Sequence, residues 1–519
     1  MRSWKRVLIL TLIGIGLRAL YCAVFSDLIV AGSDATVNII LGRKFASGNY
    51  YGVLDTYWPP LYPFLVGVVT LFVDSITLPA VIVSVITGAL AVPLTYWLTD
   101  QSYGKATATV AAVIAIFFPN LINAVFALGT ENPYLICVGA SLIAGWNALK
   151  KGSLYGFLLT GVFIGLAYLT RPEAFGYVIF FVLLIIFGRF WTKELLTRKP
   201  VIQISILVFG FAIFAAPYML YLHNETGRWM ISGKMEKNVA AGAFSKDAIE
   251  RSEAASAVNP ESNEQSPRAL ATNFASNLRE AQKALSSLIP FFLVILVGIG
   301  LFRSSWDRER LLREGYLLSF CILTIVGYSA SFVLERYLYV LLPVFFGWAA
   351  HGIIGLKEWY EDSTRSFGIA KIRYIPKASY IPAFLLLCLF VYLFPTNFFV
   401  RSKESAWQAT AFGERNAGIW LRQFAKPGST TFSFSSVPTF YSQTNEFWVE
   451  TKDPKEIVRE ILLNRVDYVV DSERSYGKRP YLANLTSDLK GDARFELIYE
   501  KDEFPGNRIA IYRTRPSNE

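Results

Sequence analysis

Histidine is nearly absent from this 519-residue chain. The two that occur, His223 and His351, lie far apart in sequence, which argues against a histidine-built metal centre. Cysteine is scarce too. Cys22, Cys137, Cys321 and Cys388 all fall inside apolar runs and form neither a disulfide framework nor a thiolate metal spacing. They read as small buried hydrophobes. Charge is the third deficit. Only 17% of the residues are charged and 53% are hydrophobic, whereas charged residues make up about a quarter of a soluble domain. A glycine-rich nucleotide fingerprint after a strand is also missing.

What is present comes in blocks. Long apolar runs alternate with short polar loops, the pattern of a polytopic membrane protein, and a more polar tail follows. The first run, about 7–30, is too long for a signal-peptide core and has no small-residue cleavage site, so it reads as a retained span. Further spans are expected at about 79–98, 105–126, 133–148, 153–169, 172–189, 202–222, 286–302, 315–333, 336–355 and 379–397. That makes about eleven transmembrane helices in residues 1–397.

The net charge of +10 invites a nucleic-acid reading, but the basic residues sit in short loops between apolar runs. Such loops are topology signals, not a phosphate-tracking patch. They also decide the run 61–73, which is short for a span and follows Trp58-Pro59-Pro60. If 61–73 does not cross, the N-terminal Arg2, Lys5 and Arg6 and every later basic short loop share the cytoplasmic side. If it crosses, all the later loops move outside. The segment is therefore expected to be a juxtamembrane or re-entrant helix on the outer face, its ends shielded by protein. The stretch 31–78 then becomes one long external loop. The turns at Glu131, Arg171–Glu173 and Glu335–Arg336, the loop 223–285 and the tail from 398 come out on the same side.

Four external residues carry candidate chemistry, each with a plainer alternative. Asp34 follows the first span and suits a general base, or is an ordinary loop acid. Glu131, in ALGTENPY, suits a second acid, or is a first-turn helix acid capped by Thr130. Arg171, in YLTRPEAF, and Arg336, in LERYLYVLLP, stand outside the positive-inside pattern. Arginine suits bidentate phosphate contact, but local pairs with Glu173 and Glu335 would also explain them. Arg18, inside the first span, calls for a structural partner. The loop 223–285 is expected to be mobile in its first half and amphipathic in RALATNFASNLREAQKALSSL, which would lie on the membrane surface.

The pattern GSDATVNIILGRKFASGNYYG…WPPLYPFLVG resembles the first external loop of the C-type (GT-C) membrane glycosyltransferases, in the branch of the dolichyl-phosphate-mannose protein mannosyltransferases and the aminoarabinose lipid A transferase. Thr130-Glu131, GLAYLTRPE (165–173) and RYLYVLLPVF (336–345) resemble the same branch, in the same order. The resemblance implies inverting transfer of a sugar from a polyprenyl-phosphate carrier. Asp34 would be the base and Glu131 the second acidic position, and Arg336 would lie near the lipid phosphate. Arg171, Tyr337 and Tyr57 join Arg336 as expected contacts to the lipid phosphate or the sugar. Two departures stand out. Ala35 follows Asp34 where many relatives have a second acid, and Val37 and Asn38 stand where a tyrosine is often found.

The tail, 398–519, reads as a small extracytoplasmic α/β domain. ERNAGIWLRQFA suggests an amphipathic helix and STTFSFSS a strand. DPKEIVREILLNRVDYVVDSE suggests a capped helix and a buried strand, and RFELIYE and RIAIYRT a hairpin through DEFPGN. It shows no catalytic signature and suits a structural or acceptor-binding role. Asn224 and Asn484 begin N-x-S/T triplets.

The expected function is a plasma-membrane glycosyltransferase moving a hexose or pentose from a polyprenyl-phosphate donor to a lipid, glycan or protein hydroxyl on the outer face. A lipid-linked glycan transporter and a non-catalytic scaffold are the alternatives. No cofactor is read from the sequence. A divalent metal stays open, with Asp34 and Glu131 as two of the oxygen ligands it would need.

Overall fold

The computed structural model describes residues 3–25, 32–191, 200–233, 267–303, 306–330, 333–367, 377–449, 451, 453–473, 482–502 and 508–515. The expected mobile half of the loop 223–285 and the hairpin turn after Asp502 lie largely outside them.

The membrane part opens with α1 (Ser3–Val24), α2 (Ser33–Ala46) and α3 (Leu61–Thr70). Next come α4 (Leu78–Tyr103), α5 (Lys105–Phe117), α6 (Pro119–Asn123), α7 (Glu131–Lys151), α8 (Leu154–Tyr168), α9 (Phe175–Trp191) and α10 (Pro200–Thr226). It ends with α11 (Pro267–Leu288), α12 (Phe291–Phe302), α13 (Arg308–Ser329), a 3₁₀ turn Glu335–Leu341, α14 (Leu342–Ser366) and α15 (Ile381–Arg422). Among the described residues, five helices are long and apolar enough to cross a membrane: Trp4–Val24, Leu78–Tyr103, Pro200–Thr226, Arg308–Ser329 and Glu335–Ser366. A sixth is reached if the bent pair Phe274–Leu288 and Phe291–Phe302 counts as one span.

Prolines account for two differences from the expected spans. The run 105–126 is not one helix, because Pro119 starts a new short helix after an extended Phe118. The run at 286–302 is joined by Pro290 to the amphipathic α11 at a 95° bend. A third difference has the opposite sense. α15 continues from the membrane run through 397 to Arg422, so the tail is entered along a helix.

α3 forms as a separate helix because Pro60 stands just before its first turn, a position that has no intrahelical N–H to lose. Its first amide, on Leu61, donates instead to the carbonyl of Leu169 at the end of α8, 2.8 Å away. α2 lies against α3 at a contact between two glycines. A Cβ at Gly42 would come within 2.7 Å of the Pro63 carbonyl, and one at Gly67 within 2.7 Å of the Gly42 carbonyl. The loop between α2 and α3 is tied down by Tyr218, whose hydroxyl donates to the Asp55 carbonyl at 2.8 Å.

After α15 come β1 (Thr430–Ser433), α16 (Ser436–Ser442), β2 (Asn445–Phe447) and α17 (Pro454–Leu463). The chain then forms β3 (Tyr468–Ser472), α18 (Leu482–Gly491), β4 (Phe495–Asp502) and β5 (Arg508–Thr514). The sheet order is β2-β1-β3-β5-β4, with the first three strands parallel and β5 antiparallel to both β3 and β4. Asp453 caps α17 by accepting from the Lys455 amide, and the all-buried β3 follows it at the sheet centre.

Candidate active site

Five separated segments meet at one open cleft. Its walls include Asp34 and Asn38 from α2, Trp58 and Pro59 from the following loop, Thr130 and Glu131 at the start of α7, Thr170 to Glu173 after α8, and Arg336 and Tyr337.

Asp34 lies in the first turn of α2, where the helix dipole favours a carboxylate. Its side chain is 52% exposed, so water or a substrate can reach it. One turn on, the Asn38 amide donates to the Asp34 carbonyl at 2.7 Å, which sets the two residues on one helix face. Glu131 opens α7 and is buried. Thr130 stands at its N-cap, but its side chain makes no cap bond there. The approach to Glu131 is strained, because the buried Leu128 adopts the left-handed φ of 46°. Such a conformation costs about 1–2 kcal/mol for a residue with a Cβ and clusters at functional sites. The packing of Leu128 among Ala35, Ile39 and Tyr62 holds it.

The two arginines differ. Arg171 is enclosed, with a guanidinium 3.8 Å from a Glu131 oxygen and 3.3 Å from a Glu173 oxygen. It stacks 3.8 Å over the Tyr337 ring and lies 5.5 Å from the Tyr134 ring. Burial pulls its pKa down, but the charges of Glu173, Tyr328, Tyr337 and Glu131 outweigh burial and hold it well above the ordinary value. Arg336 is 39% exposed and bridges the two proposed acids, 3.4 Å from Asp34 and 3.3 Å from Glu131. The local pair expected between Arg336 and Glu335 does not describe this arrangement. Arg336 reaches across to Asp34 and Glu131, and Glu335 accepts from Asn120 at 2.9 Å. Arg18, also singled out, is fully buried in α1 and donates to the carbonyls of Gly14 and Ala115, both at 3.2 Å.

The structure therefore brings Asp34, Glu131, Arg171, Arg336 and Tyr337 into one cleft. It does not bring Tyr57 into the lining; Trp58 and Pro59 take that part of the wall, and the Tyr57 ring packs edge-on against Trp58. Sequence reasoning missed Tyr134, which gave no signal beyond its place three residues after Glu131. It noted Asn38 only as a departure from a pattern. Among the described residues, no three His, Cys, Asp or Glu side chains form a metal-holding group. The guanidinium between Asp34 and Glu131 also sits where a hard cation would need oxygen ligands, so these residues do not fit the divalent metal left open above.

No curated protein sequence matches the chain. Residues 58–220, which include Glu131 and Arg171, match the family described as dolichyl-phosphate-mannose-protein mannosyltransferase. ArnT from Cupriavidus metallidurans, solved bound to undecaprenyl phosphate, superimposes with a TM-score of 0.56 at 12% identity, covering 97% of this chain and 98% of that one. The Archaeoglobus fulgidus oligosaccharyltransferase in its apo form gives 0.54 at 14% identity, covering 100% of this chain and 75% of that one. AglB of the same organism, in complex with an inhibitory peptide and a dolichol-phosphate, gives 0.54 at 14% identity, over 100% and 74%. At such identities the likeness is one of fold. The segment 58–220 thus resembles the dolichyl-phosphate-mannose-protein mannosyltransferase family, and the chain as a whole shares the fold of ArnT and of the archaeal oligosaccharyltransferase.

Proposed function

We propose that this protein is an inverting glycosyltransferase of the plasma membrane that takes a sugar from a polyprenyl-phosphate donor and places it on a hydroxyl of a lipid, glycan or protein at the outer face. In this reading about eleven helices cross the membrane, the N-terminus is cytoplasmic, and the α/β tail is extracytoplasmic.

One observation carries the reading. An exposed carboxylate, Asp34, stands at the rim of a cleft whose deeper wall holds the buried Glu131 and two guanidinium groups. The chemistry follows from that placement. Asp34 takes the proton of the acceptor hydroxyl, and the freed oxygen attacks the anomeric carbon. The bond from that carbon to the phosphate oxygen breaks with inversion, and the polyprenyl phosphate leaves with the electron pair. The leaving group needs no acid, because a phosphate is already stable as an anion.

Charge balance assigns the arginines. Asp34, Glu131 and Glu173 face Arg171 and Arg336, so the charged lining side chains sum to one net negative charge. That favours the positive charge that develops on the sugar ring, and it opposes an incoming phosphate unless a guanidinium turns toward it. Arg171 already lies between two carboxylates and serves to orient Glu131. Arg336 has the exposed edge and is the residue suited to meet the phosphate.

The test is sugar transfer by purified protein in lipid, wild type against Asp34→Asn, with radiolabelled polyprenyl-phosphate hexoses and pentoses and a crude membrane fraction as acceptor. Transfer by wild type and its loss in folded Asp34→Asn is the expected result. Equal transfer by both rules out Asp34 as base. Failure of the wild type to consume any of these donors removes the support for a transferase and returns the transporter and scaffold alternatives.

A further inference from the structure

The helix that carries Asp34 is seated on α3 by the Gly42–Gly67 contact and by the packing of Ala35 and Ile39 on Tyr62 and Val66. Its N-cap residue, Gly32, makes no side-chain cap bond. A second hold on the first turn of α2 comes from 400 residues away. The hydroxyls of Thr36 and Ser436 share a 2.8 Å hydrogen bond, and Thr36 is fully buried. Ser436 opens α16, and Val437, Phe440 and Tyr441 of that helix are buried in the same apolar cluster as Ala35 and Ile39 of α2. Asp34 and Asn38 thus line the cleft, while Ala35, Thr36 and Ile39 face α3 and the tail.

α16 is itself anchored from behind. The Ser435 hydroxyl accepts from the Val437 amide at 3.3 Å and donates to Glu414 at 2.7 Å. Glu414, buried on α15, also accepts from the Ser472 hydroxyl on β3 at 3.1 Å. α15 and α16 meet at Gly418, where a Cβ would stand 2.5 Å from the Pro438 carbonyl and 2.9 Å from the Tyr441 Cβ. A continuous path therefore runs from the tail's sheet through Glu414, α16 and Thr36 to the turn that bears Asp34.

We propose that α16 of the C-terminal domain is the support that positions Asp34, with Ser436 and Thr36 as positioning residues and Gly418 setting the distance. The tail is then part of the catalytic scaffold and more than a platform for the acceptor. The inference rests on the reading of Asp34 as base only for its effect on turnover. The support itself is a statement about where residue 34 stands.

The experiment separates the two. In full-length protein in nanodiscs, Asp34→Cys is combined in turn with Ser436→Ala, Phe440→Ala and Gly418→Ala. The rate at which a charged, membrane-impermeant maleimide modifies the new thiol is measured, with the wild-type chain as blank. In the native Asp34 background the same three substitutions are assayed for turnover and donor KM with the radiolabelled polyprenyl-phosphate sugars. The proposal expects a labelling rate changed by about threefold or more, and turnover down about tenfold with donor KM within about twofold, as misplacement of a reacting group produces. Labelling unchanged in all three variants overturns it, whether or not turnover falls. If Asp34→Asn keeps full turnover, the base assignment fails, and the labelling rates alone decide whether α16 supports this turn.

Discussion

Arg336 holds two carboxylates with one guanidinium, and the two contacts are not equal. The one to Asp34 joins two half-exposed side chains, and such pairs contribute at most about 1 kcal/mol. The one to Glu131 reaches a 6%-exposed acid, where the partner left behind would be a buried charge. An ion pair to a buried acid is screened by water less than one between exposed groups, so it is the harder of the two to break. A phosphate arriving at the cleft therefore displaces Arg336 from Asp34 more readily than from Glu131, which frees the base as the donor seats. Lysine at this position has one charged nitrogen and cannot serve both acids. Arg336→Lys is expected to raise the donor KM roughly tenfold to a hundredfold. Steady-state transfer at varied donor concentration checks it, and an unchanged KM removes Arg336 from the phosphate. Glu173→Gln makes the companion prediction for Arg171. Removing one of its two carboxylates lets the guanidinium turn wholly to Glu131. Turnover should fall less than about tenfold, with the donor KM lowered because one negative charge has left the cleft. A raised KM would contradict this charge account.

At the scale of elements, the site depends on how closely α2 lies on α3. The Gly42–Gly67 contact leaves no room for a methyl group against backbone on either side. Gly42→Ala must push the helices apart and tilt the turn bearing Asp34. Overpacking of this kind costs about 1–3 kcal/mol, so thermal unfolding should come several degrees lower and transfer should drop. Normal transfer with a lowered unfolding temperature would show that Asp34 does not depend on this contact. Much of this region was legible in sequence. Pro59-Pro60 marked a helix start, and the basic loops placed the run 61–73 on the outer face as an expectation. The tail's helix Pro454–Leu463 and its strands were legible from their periodicity and the Asp453 cap. Other features could not be read. The short parallel edge strand Asn445–Phe447 is three residues long and carries no period. The seating of α16 on α2 joins residues 400 positions apart, and no local pattern encodes it. Arg336 illustrates the limit at a single residue. Its neighbour Glu335 was the obvious ion partner, but the 3₁₀ turn at Glu335–Leu341 sends the two side chains to different elements.

Across the whole molecule, α7 connects two polar regions of different character. Its 21 residues span about 30 Å, the thickness of a bilayer's hydrocarbon core. Glu131 at one end lines the cleft, and Lys150 near the other end pairs with Glu309 at 2.7 Å. Close to that second end lies a buried knot centred on Glu314, which is fully buried. Its carboxylate accepts from the Tyr103 hydroxyl at 2.8 and 2.7 Å and from the Trp348 indole at 2.8 Å. Arg313 stands 3.4 Å away and Arg310 3.9 Å away. The knot ties α4, α13 and α14 together on the side where the basic loops are expected to face the cytoplasm. Glu314→Ala leaves a tyrosine hydroxyl and an indole N–H without their acceptor and removes the carboxylate beside Arg310 and Arg313, and breaking a buried pair in this way costs about 3–5 kcal/mol. Glu314→Gln keeps one acceptor oxygen for Tyr103 and Trp348 but loses the charge and the second oxygen, which faces Arg313, so its cost should be smaller than that of Glu314→Ala. Both variants act a membrane's thickness from the cleft, so whatever protein folds should keep a wild-type donor KM. Thermal unfolding in nanodiscs, with transfer assayed on the folded fraction, checks both parts. An unfolding temperature unchanged in Glu314→Ala would show that the knot does not hold the three helices. A changed donor KM in Glu314→Gln would show instead that this end of the bundle and the cleft are coupled through α7, and that the two faces do not act independently.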